Sequence, residues 1–432
     1  MQRNRTCAVA LSLLLTAAAG ANAQSDTVRV SMTEAIERAL RASPQIVRGT
    51  GSVATAEWAE RTALGAFLPS ASMSSGTSKS STTRFNPQTN TDVTGASNSY
   101  SAGLSMSYDV FTGGRRGAQR RRAEANTTSA EASLVEQRFN VILATKRAFF
   151  DVRRAAELSA VNQANVERAE QALDAANRRL AVGTATRSDV LRAQLELNNA
   201  KNAVLNSQNQ RRSAAFSLGA QIGVEGPALP VMDSVVVPRA LSMSNEQIVS
   251  LAIDAAPAVR SAEASLDAAR ASASVSRASY FPTLRFSSGY DWSNNEMNIE
   301  SGRTSWSLRL NLSYPIFNGF TREADVANAN IQTRTATADL HAAQRQARAD
   351  AERVLGALNL AEEQLALRRE ALAVAEEDLR VQQERYRLGM TTILELLTSQ
   401  SALRSAESNL VTARYDYEIA RAELEALVGR EL

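Results

Sequence analysis

The chain has 432 residues, with 48 Lys+Arg against 45 Asp+Glu, one histidine (His341) and one cysteine (Cys7). This inventory excludes a disulfide scaffold and a metal site built from His and Cys ligands, and it leaves any nucleophile–histidine pair dependent on His341 alone. The basic and acidic residues are interspersed and no Gly-rich phosphate loop is present, so neither a nucleic-acid partner nor an enzyme is expected. No catalytic, cofactor-binding or metal-binding residue is predicted.

The first 23 residues have the pattern of a secretory signal peptide. Arg3 and Arg5 precede an apolar run over 7–19, and Ala21 and Ala23 are the small residues expected before cleavage at Gln24. A transmembrane helix is the alternative, but the run is too short to cross a bilayer. Cleavage would remove Cys7 and lower the net charge of +3 by two charges.

The remaining chain contains two copies of one unit. The spacing from Pro44 to Pro69 recurs from Pro257 to Pro282, and the spacing from Gly113 to Gly183 recurs from Gly319 to Gly389. The copies differ in length only within polar, loop-like sequence near 80–97, where insertions are tolerated. We therefore divide the chain into a signal peptide (1–23), a first repeat (24–223), a linker (224–243) and a second repeat (244–432).

Each repeat is predicted to contain the same elements in the same order. Two helices come first, then two strands, a very long helix, a tight turn at a glycine and a final helix. Prolines are absent from 88–226 and from 316 onward, which permits such long helices. In the first repeat the elements are placed at 32–43, 45–66, 70–80, 98–110, 115–182 and 188–222. In the second they are placed at 245–255, 258–280, 283–292, 304–316, 321–388 and 394–428.

Two heptad rows run along the second long helix. One row is Leu358, Leu365, Leu372, Leu379 and Tyr386, and the other is Leu360, Leu367, Val374, Val381 and Leu388. Strict heptads indicate coiled-coil packing, and an offset of two residues places the rows about 200° apart around the helix. Two opposed seams suit a helix with neighbours on both sides, as in a curved wall or a closed cylinder. An ordinary thick bundle is the alternative.

The strands alternate apolar and polar residues over about the length of an outer-membrane strand. A half-buried sheet of a soluble protein is the alternative. Four strands cannot close a membrane barrel, and an open edge is not tolerated in lipid, so a membrane location requires several chains to share one barrel. The predicted outer face consists of Tyr100, Leu104, Met106, Tyr108, Leu284, Phe286, Tyr290, Trp292, Trp306, Leu308, Leu310, Leu312 and Tyr314.

Several features of the mature chain occur together in one known family. They are the repeat, the Phe67–Pro69 motif, the Tyr-x-[Val/Ile]-Phe-x-Gly motifs at 108–113 and 314–319, and the turns at 181–191 and 386–396. In these features the chain resembles the TolC-like outer membrane efflux proteins. The resemblance implies a mainly α fold with a small β-barrel portion: a homotrimer with a shared 12-stranded barrel in the outer membrane and a helical tunnel reaching into the periplasm. It implies a passive exit duct for a tripartite efflux pump or a type I secretion system. The implied partners are outer-membrane lipid, a periplasmic membrane-fusion adaptor and an inner-membrane transporter of the ABC or RND type.

The resemblance also assigns roles to the far ends of the long helices. Adaptor docking is expected at Gly183, Thr184, Arg187, Gly389, Met390 and Thr391. Closure of the entrance is expected to involve Asp189, Tyr386 and Glu395. Some family members carry a charged residue at the positions of Thr391 and Thr398, so the entrance of this chain is expected to be latched differently.

Two features keep more than one interpretation. The run of arginines over 115–122 either anchors the protein near anionic headgroups or lines the lumen and attracts anions. Arg187 either pairs with an acid across the tip or is solvated. A structural coiled-coil protein of the cell surface is one rival function, but it does not explain the duplicated strand pairs. A periplasmic adaptor is another, but it would need lipoyl-like and β-barrel domains rich in Gly and Val, which the sequence does not show.

Overall fold

The computed structural model describes residues 27–231 and 244–430. The predicted signal peptide and residues 232–243 of the predicted linker lie outside these described residues. Each repeat contributes four α-helices and two long strands, and a short strand lies in front of each set. In the first repeat these are β1 (Val28–Val30), α1 (Met32–Ala42), α2 (Pro44–Gly65), β2 (Ser70–Asn86), β3 (Thr91–Phe111), α3 (Arg115–Ala181) and α4 (Arg187–Gln221).

The second repeat has the same order of elements, which confirms the predicted duplication of the fold. Its elements are β4 (Ala228–Pro230), α5 (Asn245–Ala255), α6 (Pro257–Arg277), β5 (Thr283–Asn294), β6 (Arg303–Ser313), α7 (Thr321–Arg387) and α8 (Ile393–Val428). Pro44 and Pro257 begin α2 and α6, where a missing N–H is tolerated because the first N–H groups of a helix have no partner within it. Helix α6 ends at Arg277 in a short 3₁₀ turn over Ala278–Tyr280, slightly earlier than predicted.

The four long strands form one antiparallel sheet in the order β2-β3-β5-β6. The loop predicted near 80–97 is wrong: β2 and β3 pair along their whole length, from Ser70↔Ser107 to Asn86↔Thr91. Polar β-branched residues suit an exposed ribbon, and Asn90, with φ 51°, closes the turn in a conformation that asparagine tolerates. Because β3 pairs with β5 only from Tyr100 onward, the end of this hairpin projects beyond the sheet.

Strand β6 ends at Ser313, three residues before the predicted boundary. Pro315 has no N–H to donate to a sheet, which explains the early end. The parallel pair β1–β4 was not predicted, because two three-residue strands are too short to show an alternating pattern. This pair joins the start of the first repeat to the start of the second.

The two heptad rows of α7 have different environments in a single chain. Leu358, Leu365, Leu379 and Tyr386 of the first row are buried, and all but Leu365 belong to clusters that include residues of α8. The second row is exposed: the relative accessibility is 55% for Leu360, 64% for Leu367, 66% for Val374, 38% for Val381 and 64% for Leu388. One seam is therefore filled within the chain and the other is left open.

Helix α3 packs against α4 and α8, while α8 also packs against α7. The helical hairpins α3–α4 and α7–α8 therefore lie side by side, with α4 and α7 at the two flanks. The core where the repeats meet contains an aromatic cluster, in which the rings of Phe150 and Tyr415 are 6.2 Å apart and those of Phe149 and Phe150 are 6.1 Å apart. Among the described residues, no helix is long and apolar enough to cross a membrane.

The junction between β3 and α3 depends on two adjacent glycines with positive φ, Gly113 (60°) and Gly114 (80°). A Cβ at Gly113 would lie 2.3 Å from Cβ of Phe281 and 2.9 Å from the carbonyl oxygen of Ala278, whereas a Cβ at Gly114 would meet nothing within 4 Å. The positive φ disfavours a side chain at both positions, and at Gly113 neighbouring atoms also leave no room for one.

We therefore expect Gly113→Ala to destabilise the chain by about 1–3 kcal/mol more than Gly114→Ala, because overpacking adds to the cost of the left-handed backbone. Thermal unfolding of the two variants in the same detergent would measure the difference. Equal melting temperatures would show that Phe281 moves aside without cost.

Candidate functional site

The first helix tip is a reversal that is closed by its own hydrogen bonds. Gly183, at φ 75°, turns the chain, and the Thr184 N–H donates to the Arg179 carbonyl oxygen at 2.9 Å. Thr186 caps α4: its N–H and its hydroxyl donate to Oδ2 of Asp189 at 2.9 and 2.8 Å, and the Asp189 N–H donates back at 3.2 Å. These bonds from Thr186 lower the pKa of the Asp189 carboxyl.

The second helix tip repeats this geometry with a looser cap. Gly389 has φ 78°, and the Met390 N–H donates to the Arg385 carbonyl oxygen at 2.8 Å. Thr392 caps α8 by accepting from the Glu395 N–H at 3.4 Å, and the Thr391 hydroxyl donates to the Glu395 carboxylate. Both predicted carboxylates, Asp189 and Glu395, are thus engaged within their own turns.

Apolar side chains are exposed at both tips. The accessibility is 73% for Val182, 64% for Leu388 and 66% for Met390. Thr184 and Arg187 are exposed and Thr391 is half-buried. The predicted docking residues therefore lie at the end of the helical region, next to apolar surface that no other described residue of the chain covers.

One arginine, Arg179, joins the two tips. Its Nη1 donates to the Tyr386 carbonyl oxygen at 2.9 Å, its Nη2 donates to the Thr184 carbonyl oxygen at 3.3 Å, and its guanidinium lies 4.6 Å from the centre of the Tyr386 ring. Tyr386 is 5% exposed, and burial raises the pKa of its phenol. Its hydroxyl has no hydrogen-bond partner among the described residues, so the ring and the backbone make the contact.

Sequence reasoning named Tyr386 but missed Arg179. The only signal at Arg179 was a basic residue in the last turn of a helix, which is common because cations are favoured beside the terminal carbonyl groups. Arg178 shows the same signal, yet it pairs with Asp174 of its own helix at 2.6 Å. Only the position of Arg179 next to Tyr386, at the end of α7, distinguishes the two arginines.

The register of the sheet places the predicted outer residues of its strands on one face. Leu104 opposes Tyr290, which opposes Trp306, and Tyr108 opposes Phe286, which opposes Leu310. The exception is Tyr314, which lies beyond the last paired residue of β6. Tyr290, Trp306 and the leucines of β6 are more than half exposed, so the part of the chain that the structure describes does not cover this face.

The other face of the sheet is polar. It is formed mainly by serines and glycines, with an ion pair between Asp109 Oδ1 and Arg285 Nε at 2.6 Å. Asp109 lies opposite Arg285 across the β3–β5 pair, so the pair also links the two repeats.

The arginine run at the start of α3 does not act as one group. Arg116 packs between aromatic rings, 5.1 Å from the centre of Phe67 and 5.4 Å from that of Tyr108, and it donates to the Ala66 and Val110 carbonyl oxygens. Its counterpart in the second repeat, Arg322, lies 4.4 Å from the centre of the Tyr280 ring. Arg116 therefore holds the strand–helix junction, while Arg115, Arg120, Arg121 and Arg122 are exposed.

Comparison with known proteins agrees with this architecture. The family model for outer membrane efflux proteins matches residues 35–224 and 248–430. The chain is 27% identical to the pyoverdine export outer membrane protein OpmQ of Pseudomonas aeruginosa over 91% of this chain and 82% of that protein. Its fold is that of CusC, with a TM-score of 0.80 at 19% identity over 94% of each chain. The fold is also that of the CmeC outer membrane channel of Campylobacter jejuni, with a TM-score of 0.80 at 16% identity over 92% of this chain and 85% of that one.

Proposed function

The chain belongs to the outer membrane efflux protein family, and we propose that three copies form the passive exit duct of a tripartite efflux pump or a type I secretion system. The protein is an outer membrane channel component, and the relatives are channels rather than enzymes. The observation that carries the proposal is the open heptad row of α7, since a row of exposed large apolar residues along a long helix requires a partner.

The sheet supports assembly independently of the helices. Its outermost strands, β2 and β6, each have one unpaired edge, and unpaired backbone groups are not tolerated in lipid. Pairing β6 of one copy with β2 of the next removes every edge when the ring closes. Three copies give about twelve strands, within the range of outer-membrane barrels. The apolar face would then contact lipid and the serine-rich face would line the lumen.

The helical hairpins support the same ring. The open row of α7 lies on one flank of the chain, and exposed leucines of α4 lie on the other, with accessibilities of 60% for Leu191, 61% for Leu195 and 65% for Leu205. Packing α7 of one copy against α4 of the next would bury both sets of leucines. Such a wall continues around the axis without a free flank.

The tips are where we place the partners. A periplasmic membrane-fusion adaptor would contact the exposed Val182 and Met390 together with the turn residues Gly183, Thr184, Arg187, Gly389 and Thr391. An inner-membrane transporter of the ABC or RND type would supply the energy. The cargo would pass through a lumen lined by small polar groups, which make few specific contacts.

The entrance would be held closed by the contact between the tips. Arg179 binds the Tyr386 backbone and stacks on its ring, so it joins hairpin α3–α4 to hairpin α7–α8. Asp189 and Glu395 act indirectly, by keeping each turn in shape. This arrangement supplies a latch although Thr391 and Thr398 are uncharged.

The test is to extract the protein from outer membranes in detergent, measure its mass, and record currents in a planar bilayer. A trimer with single-channel events is expected. A soluble monomer without channel activity would contradict the duct and favour the rival of a structural coiled-coil protein. Measuring drug sensitivity and protein secretion after gene deletion would separate efflux from type I secretion.

A further inference from the structure

The contact between α3 and α8 contains a ladder of ion pairs between the two hairpins. Lys146 pairs with Glu425 at 2.5 Å, Arg147 with Glu423 at 2.6 Å, Arg154 with Asp416 at 3.3 Å, Glu157 with Arg414 at 2.9 Å, and Arg168 with Glu407 at 2.6 Å. Four of the five place the base on α3 and the acid on α8. The ladder starts near the aromatic cluster and runs toward the tips.

The Arg168–Glu407 pair is the ion pair of this ladder that lies nearest to the tips. It is bidentate, with Nη1 and Nη2 of Arg168 donating at 3.0 and 2.6 Å, and the two side chains are only 17% and 21% exposed. Arg168 is also held through its backbone, because the Gln400 side-chain amide on α8 donates to the Arg168 carbonyl oxygen at 3.4 Å. Between this pair and the tips, the described residues form no further ion pair between α3 and α8.

Packing also changes in character at this pair. On the side of the sheet the hairpins are joined by Phe150, Tyr415 and four ion pairs, and the Tyr415 hydroxyl donates to Glu157 at 2.5 Å. On the side of the tips, α3 presents the small residues Ala172 and Ala176 to the α7–α8 hairpin. Alanine buries little apolar area, so that contact is the weaker one.

We propose that the Arg168–Glu407 pair is the pivot of the entrance: the hairpins separate from this pair to the tips and stay joined from this pair to the sheet. The segment that moves is about 20 Å long, counted from Arg168 to the end of α3 or from the start of α8 to Glu407. This inference rests on the proposed function, because a pivot has meaning only in a channel that opens. Arg168 and Glu407 are positioning residues, which set how far an opening extends and do not contact the cargo.

The test compares conductance in planar bilayers between channels that keep the contact of Arg179 with Tyr386 at the tips and channels that lack it. Glu407→Arg places a positive charge beside Arg168, so the hairpins can part further toward the sheet once the tip is free. We expect the Arg179→Ala/Glu407→Arg channel to conduct roughly twofold more than the Arg179→Ala channel. Glu407→Arg alone should conduct like wild type, because Arg179 still holds the tips together, so the effects of the two changes are not additive. The charge swap Arg168→Glu/Glu407→Arg in the Arg179→Ala background should return the conductance to that of Arg179→Ala. A merely structural defect would not be repaired by the swap.

The matched control is Glu170→Arg, which breaks the pair of Lys201 with Glu170 within one hairpin, where the atoms are 3.6 Å apart. Combined with Arg179→Ala, it should leave the conductance of the Arg179→Ala channel unchanged. Glu407→Gln is a milder variant that keeps the test usable if the charge reversal does not assemble. The pivot is wrong if Glu407→Arg and Glu407→Gln both leave the Arg179→Ala conductance unchanged, or if the swap restores nothing. A wild-type protein that shows no single-channel events at all contradicts the duct itself.

Spin labels give a direct measurement of where the hairpins part. The only cysteine of the sequence is Cys7, in the predicted signal peptide, so labels can be attached at introduced cysteines. Ala160 and Asn409 are exposed on the sheet side of the pivot, and Val182 and Met390 are exposed at the tips. With labelled copies diluted into unlabelled protein, Arg179→Ala should lengthen only the distance between labels at the tips. An equal lengthening between labels at Ala160 and Asn409 would contradict the pivot.

Discussion

Replacing Leu367 and Val374 together by glutamate is expected to leave each chain folded but to abolish its assembly into a trimer. The two side chains are 64% and 66% exposed, so a charge at either position has access to water in the single chain. In the proposed ring both are buried against a neighbouring copy. Losing each apolar contact costs about 1.5–3 kcal/mol, and burying an unpaired carboxylate costs several more, at every one of the interfaces.

The measurement is the mass of the detergent-extracted protein by light scattering, with circular dichroism to confirm that helix content is unchanged. Ala373→Glu is the matched control, because Ala373 is exposed but lies outside the heptad row. We expect the control to remain trimeric. A trimeric double variant would show that the open row of α7 is not the contact between copies.

Replacing Arg179 by alanine is expected to produce a channel that is open at rest. The substitution removes one charged hydrogen bond to Tyr386 and a cation–π contact with its ring, together about 2 kcal/mol in each copy. Since 1.4 kcal/mol is a factor of ten in an equilibrium constant, the ratio of open to closed entrances should rise at least about tenfold. Planar-bilayer recordings would give the open probability, and uptake of a large antibiotic by whole cells would show the leak.

Two controls test whether the channel opens because the contact between Arg179 and Tyr386 is lost, and not because any arginine or the tyrosine hydroxyl is removed. Arg178→Ala removes the neighbouring arginine, which is largely exposed and pairs only within α3, so it should leave the channel closed. Tyr386→Phe should also leave it closed, because the hydroxyl it removes has no partner among the described residues. The latch is located elsewhere if Arg179→Ala behaves like Arg178→Ala.

Most of the fold could be predicted from the sequence because its strongest signals are local or periodic. Prolines at both ends of a stretch bound a helix, heptads show that a helix packs on both sides, and equal spacings between glycines reveal a duplication. Elements of that kind are encoded over tens of residues. The prediction failed only for the outer part of the hairpin β2–β3, where serines and threonines form either a loop or an exposed ribbon, and composition does not distinguish the two.

The sequence alone determined that this chain is a repeated unit with two very long helices, and it predicted that the second of these helices has neighbours on two opposite sides. Only the tertiary structure decided which side chains join the two repeats. Asp189 and Glu395 were expected to close the entrance, yet each belongs to a cap within its own turn, while Arg179 and the Arg168–Glu407 pair reach across the hairpins. Arginines are frequent in the helices of this chain, so the few that make long-range contacts are selected by how the helices cross. That crossing depends on side chains hundreds of residues apart, and no local pattern records it.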